Sequence, residues 1–182
     1  MKILLHICCG PCAIYPLQRL REQGYEVHGL FYNPNIHPFQ EFHRRLEAVK
    51  TFAAITDLPL ELDDRYGLTD YLRQVVFHEQ ERCPRCYEMR LGRTAESAAT
   101  GDFTAFTTTL LYSKYQNHEL IRKRCEQLAG RHGTDFLYED FRLGWQQGID
   151  ESRSMGLYRQ PYCGCIYSEQ ERYDKRLRKQ LR

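Results

Sequence analysis

The chain has no apolar run near the roughly 20 residues that cross a bilayer, which argues against a membrane-spanning helix. Its first apolar stretch, Ile3-Leu4-Leu5, is broken by His6 and then by cysteines, so it is too short for the core of an export signal. No glycine-rich phosphate loop follows that stretch, and the usual mark of a nucleotide site is missing. Internal repeats, low-complexity tracts and linkers are absent too, which predicts a single domain over residues 1–182. Net charge is only +2, too little by itself to argue nucleic-acid binding. The expected location is the cytoplasm, where thiols stay reduced.

What the chain has in quantity is cysteine: eight, and seven of them clustered. Cys8, Cys9 and Cys12 follow the first apolar run, Cys83 and Cys86 form a CxxC at mid-chain, and Cys163 and Cys165 form a CxC near the end. A packed core needs no clustering of thiols, because an isolated cysteine serves as a small hydrophobe wherever it falls. In a reducing compartment such groups point to a metal, a redox dithiol, or both. Four thiolates from Cys8, Cys9, Cys83 and Cys86 suit zinc or an iron–sulfur cluster, and spacing does not choose between them. Cys12 is a fifth thiol within reach, as a ligand, a ligand to a second iron, or a donor to the others. Cys83 and Cys86 fall at a predicted helix start, where the dipole favours thiolate. A CxC disulfide closes a small, strained and easily reduced ring, so Cys163 and Cys165 read first as a two-electron switch. Completing the metal site, or plain packing, are the other roles for that pair. Cys125, inside a predicted helix, reads as structural.

Strands and helices alternate. Lys2–Ile7, Tyr25–Tyr32, Leu58–Leu62, Phe103–Leu111 and Thr134–Phe141 read as strands. Helices are expected over 13–23, 39–55, from Thr69, from the CxxC to about Ala99, and over 118–129, with Pro16 in the first turn of the first helix. The order predicts an α/β fold with a mostly parallel, Rossmann-like sheet and helices on both faces. Ligands in such folds sit at the carboxyl ends of the strands. There Cys8-Cys9, the loop Asn33–Pro38 and Ser113 should converge. His6, His37 and His118 are expected to be structural histidines, with His37 and Asp140 as candidate proton donors. Tyr158 and Tyr162, beside the CxC, are candidates for stacking on a base. Arg172, Lys175, Arg176, Arg178, Lys179 and Arg182 make a basic tail, either a solvated helix end or a phosphate contact.

Five stretches together, LLHICCGPC (4–12), FYNPNIHP (31–38), RCPRCYEMRL (82–91), FTTTLLYSKYQNHELI (106–121) and GLYRQPYCGCIYS (156–168), resemble the cobalamin-independent epoxyqueuosine reductase family (QueH) from end to end. Gly10 departs from the resemblance, since alanine is commoner there. The resemblance implies a HUP-like sheet with a helical C-terminal segment. It also implies a reductase that turns the epoxide of epoxyqueuosine at the tRNA wobble position into queuosine. By the same resemblance a [4Fe-4S] cluster sits on Cys8, Cys9, Cys83 and Cys86, and Cys163–Cys165 is a redox-active disulfide. An additional mononuclear iron is left open, no cobalamin is expected, and a separate electron donor is required. The competing readings are a zinc-stabilised RNA-binding module without turnover and a general protein thiol–disulfide oxidoreductase.

Overall fold

In a computed structural model that describes residues 1–176, five parallel strands form one sheet in the order β3-β2-β1-β4-β5. The basic tail beyond Arg176, with Arg178, Lys179 and Arg182, lies outside the described residues. The strands are β1 (Lys2–His6), β2 (Glu26–Tyr32), β3 (Leu60–Asp63), β4 (Ala105–Thr108) and β5 (Asp135–Phe136). Parallel strands covered on both faces read as continuous apolar runs. The central strand β1 obeys this, with Ile3, Leu4 and Leu5 fully buried between β2 and β4.

Seven α-helices accompany the sheet among the described residues: α1 (Gly10–Glu22), α2 (Phe39–Ile55), α3 (Leu68–Val75), α4 (Arg82–Thr100), α5 (His118–His132), α6 (Trp145–Ser154) and α7 (Ile166–Tyr173). Right-handed crossovers in this strand order put α1 and α2 on one face and α4 and α5 on the other. Packing agrees, since α1 lies on α2 and α4 on α5. None of these helices is long and apolar enough to cross a membrane.

Several boundaries differ from the sequence expectation for identifiable reasons. α1 starts at Gly10, directly after Cys9, and not at Ala13, so Cys12 falls in its first turn. Pro11 at that start needs no amide donor. Pro16 then lies inside the helix, where its missing N–H leaves the Cys12 carbonyl without the usual partner. The strand expected to reach Leu111 stops at Thr108, whose side chain accepts a bond from Leu110 N and turns the chain into a 3₁₀ turn over Thr109–Tyr112. β5 keeps only two residues, and Asp140 caps the next turn by accepting from Arg142 N.

The order of winding reverses between the parallel strands β1 and β4, and the crevice there opens at the strand ends. Three bonds tie the ends together. Asn33 Nδ2 donates to Ile7 O at 2.9 Å, and Cys8 N donates to Thr109 Oγ1 at 3.1 Å. His6 Nδ1 lies 2.9 Å from Thr108 Oγ1. The expected convergence of the Cys8, Asn33 and Ser113 segments is therefore present, with Ser113 on the wall of the same cleft.

Gly10 packs directly against α2: a Cβ there would stand 2.7 Å from Ala48 O. Gly10→Ala is therefore expected to force the helices apart and to lower stability by about 1–3 kcal/mol. In a thermal melt that is a fall of roughly 2–4 °C per kcal/mol for a chain of this size. An unchanged midpoint would show that the helices separate freely.

Candidate active site

The turn after β1 and the first turn of α1 place three buried thiols together. The Sγ atoms of Cys8, Cys9 and Cys12 all lie within 4.8 Å of one another. Among the described residues this is the one group of three or more potential ligands so close. Cys8 is held well below the ordinary thiol range, chiefly by hydrogen bonds from Cys12 and Cys9, with the charge of Arg90 and a bond from Thr109 adding to the effect. Burial pushes Cys9 up, and donation to Cys8 pushes Cys12 up.

Cys83 and Cys86 stand in the first turns of α4, Cys83 exposed and Cys86 buried. The helix start was expected to favour thiolate, but desolvation outweighs it at Cys86, whose thiol is pushed up to about 12 against the opposing charge of Arg90. Cys86 packs with Tyr71, Val75 and Cys165 in a small cluster apart from the main core. The four expected ligands, Cys8, Cys9, Cys83 and Cys86, do not gather as tightly as the Cys8-Cys9-Cys12 triad. A single ion draws its ligands onto one centre, whereas a cluster binds each thiolate through a different iron and needs a wider set.

Arg90 links the two thiol groups. It is one turn beyond Cys86 on α4, is 2% exposed, and donates to Cys86 Sγ at 3.8 Å and to Asn33 Oδ1 at 2.8 Å. Its charge also acts on Cys8 and Cys163. No carboxylate pairs with it among the described residues, and burying an unpaired guanidinium is costly. A negatively charged metal–thiolate centre would supply the missing counter-charge, so this donor set fits such a centre. Sequence reasoning missed Arg90, and the signal was its i+4 spacing from Cys86.

A second buried arginine, also missed, fixes the CxC. Arg45 donates to Tyr162 O at 2.9 Å and Cys163 O at 2.8 Å while its Nε pairs with Glu41 at 2.7 Å. Tyr158 OH donates to the other oxygen of Glu41, Tyr162 OH donates to His37 O at 2.5 Å, and His37 N donates to Gly164 O at 2.8 Å. The hydroxyls of Tyr158 and Tyr162, the two stacking candidates, thus help to position this loop, and Tyr162 also lines the cleft. Gly164 has φ of +149°, and a Cβ on it would meet Asn35 Nδ2 at 3.1 Å, so the middle of the CxC must be glycine. Cys163 faces the cleft and accepts from Gln116 Nε2 at 3.0 Å. Cys165 is buried, starts α7 as its cap, and packs toward Cys86. All eight cysteines are free thiols.

The other candidates resolve simply. Cys125 is fully buried in the main core. Burial and then the nearby Arg90 hold His6 neutral, with a pKa lowered to about 3. Burial lowers His37 to about 4. His118 is buried and its Nε2 lies 3.1 Å from Leu111 O. Asp140 is kept ionised by hydrogen bonds from Arg142, which makes it a poor proton donor.

The triad and the CxC share a cleft of about 660 Å³ that is lined by Cys8, Cys12 and Cys163. A sequence model described as epoxyqueuosine reductase QueH matches residues 3–171. The chain belongs to the epoxyqueuosine reductase QueH family. A protein named epoxyqueuosine reductase QueH from Dehalococcoides mccartyi is 39% identical over 174 residues, covering 96% of each chain. The protein of that name from Thermotoga maritima is 33% identical, over 95% of this chain and 93% of its own. Among solved structures, a predicted subunit of tRNA methyltransferase from Methanocaldococcus jannaschii superposes with a TM-score of 0.57 at 13% identity, over 84% of this chain and 74% of that one. That likeness is one of fold, and it agrees with the expected α/β domain built on a parallel sheet with helices on both faces. QueH membership supports the resemblance read from the five motifs, all of which contribute residues to the cleft or to the clamp on its CxC wall.

Proposed function

We propose that this chain reduces the epoxide of epoxyqueuosine in tRNA, giving queuosine and completing that modification. The observation that carries the reading is a single cleft, in a member of the QueH family, onto which both Cys8 of the buried triad and Cys163 of the CxC open. Deoxygenating an epoxide breaks both C–O bonds and consumes two electrons and two protons, leaving an alkene and water. Oxidising a dithiol to a disulfide releases the same two electrons and two protons, so one CxC dithiol balances one turnover. An electron donor must then reduce the disulfide.

Cys8, Cys9, Cys83 and Cys86 would hold a [4Fe-4S] cluster, with Cys12 as an added ligand, including to a mononuclear iron. Iron so held supplies single-electron transfer and a Lewis acid for a poorly leaving oxygen. The reading needs no cobalamin. Gln116 orients Cys163 toward the cleft, the Arg45 clamp keeps the CxC carbonyls fixed, and Arg90 balances thiolate charge within a low-dielectric wall. The two thiol protons are the protons that the departing oxygen needs.

A zinc-stabilised RNA-binding module is the second reading, and the tightness of the Cys8-Cys9-Cys12 triad favours it where a single ion is bound. It leaves the clamped CxC without a task. Anaerobic purification separates them. About four irons and four sulfides per chain, with conversion of epoxyqueuosine tRNA, support the reductase. Zinc alone in protein never exposed to air would leave only the binding module.

A further inference from the structure

The outer wall of the cleft is aromatic and positively charged, and nothing in the redox chemistry uses it. Trp145 is the chain's one tryptophan. Its ring rests on Tyr112 at 5.2 Å, and Tyr112 OH donates to Trp145 O at 2.9 Å, so this inner pair is fixed. Tyr115 meets Trp145 almost perpendicularly at 5.7 Å and is 86% exposed. Its backbone is set by a bond from Tyr115 N to Ser113 Oγ at 3.2 Å. Lys114 Nζ stands 5.7 Å from the Trp145 ring centre. Arg159 and Arg172 line the same cleft, and neither they nor Lys114 form an ion pair among the described residues.

We propose that Tyr115, Trp145 and Lys114 form a stacking subsite for an unpaired nucleobase. That base would be next in sequence to the nucleotide whose modified base enters the cleft. The inference rests on the reading that the substrate lies in tRNA. Exposed aromatic rings interleaved with cations are the chemistry by which proteins hold single-stranded nucleic acid, because every base has a π-face and every linkage a phosphate. A lone exposed tyrosine would need no explanation. Here it joins a fixed aromatic pair and unpaired cations on the wall of a cleft that reaches reactive thiols. Arg159 and Arg172 would take the flanking phosphates.

The single tryptophan makes the test direct. The iron-loaded protein is titrated anaerobically with an anticodon stem–loop RNA and, in parallel, with a fully paired duplex of similar length, following Trp145 emission and affinity. The loop RNA is expected to quench Trp145, and the duplex is not. Tyr115→Ala should weaken loop binding about ten- to a hundredfold and leave duplex binding unchanged. Tyr115→Phe should restore it. The salt dependence of loop binding should keep its slope in Tyr115→Ala and lose about one counterion in Lys114→Met. Tyr115 is exposed, so iron content and melting temperature provide a check that the variant is intact. Loop RNA bound with unchanged Trp145 emission, and with Tyr115→Ala affinity within about twofold of the parent, would overturn the subsite and leave the reductase reading standing. Unchanged RNA affinity with slower reduction by a protein donor, but not by dithionite, would overturn it in favour of a protein-docking patch. Failure to bind either RNA or to turn over epoxyqueuosine tRNA would overturn both.

Discussion

Cys163→Ser is expected to abolish turnover while leaving iron content and visible absorbance as in the parent. The reasoning is electron counting. One epoxide needs two electrons, and a lone Cys165 thiol cannot close a disulfide to release them. The substitution is sterically mild. Cys163 lies exposed on the cleft, Gln116 can donate to a hydroxyl as well as to a thiol, and Arg45 holds the backbone through the carbonyl and not the side chain. Stability should therefore stay within about 0.5 kcal/mol of the parent. Thiol titration before and after a single turnover gives an independent reading: the parent should lose two thiols per product, and the variant none. Turnover that persists in the variant would remove the dithiol from the reaction. Loss of iron absorbance would instead make Cys163 a ligand.

The sheet and the approximate site were legible because strong local signals coincide with tertiary roles. α2 runs over Phe39–Ile55 as expected, since His37-Pro38 stops the preceding segment and apolar residues then recur at helical spacing. β1 shows as an apolar run because a central parallel strand is buried on both sides. β4 is shorter than expected because, although Thr109, Leu110 and Leu111 continue its apolar and β-branched run, a bond from Leu110 N to the Thr108 side chain turns them into a 3₁₀ turn. α6 left little trace. Its residues are mostly polar, and Gly148 weakens the helical pattern for a tertiary reason, since a Cβ there would meet Tyr112 OH at 2.4 Å. Within the site, thiols could be read from clustering, but Arg45 and Arg90 could not be read from charge alone. An arginine on a helix is usually solvated, and only packing shows that both guanidiniums are buried and aimed at the cysteine segments. Tyr115 was passed over for the same reason, since only packing shows its exposed ring on the cleft wall.

Arg90→Met should leave the metal-free fold close to the parent in stability while weakening metal loading. Without metal, the variant loses the bond to Asn33 Oδ1, but it also removes a buried cation that no carboxylate pairs with. These contributions offset, and the metal-free fold should stay within about 2 kcal/mol of the parent. With metal, the variant loses the counter-charge to the thiolates. A charge-assisted contact is worth about 1.5–3 kcal/mol, so metal affinity near neutral pH should fall about ten- to a hundredfold. The sign of the pH dependence follows from the thiols. Arg90 draws Cys8 down and opposes the rise at Cys86, so its removal leaves both thiols holding their protons to higher pH. Ligation requires those protons to leave. Loading should therefore recover as pH rises and fail first as pH falls, with its midpoint displaced upward relative to the parent. Arg90→Lys keeps the charge but cannot span Cys86 and Asn33 together, and should fall between the two. Iron or zinc content across a pH series, with melting of both forms, decides the matter. Equal loading of parent and methionine variant at every pH would mean that Arg90 only supports Asn33, and that the charge of the thiol centre is balanced elsewhere.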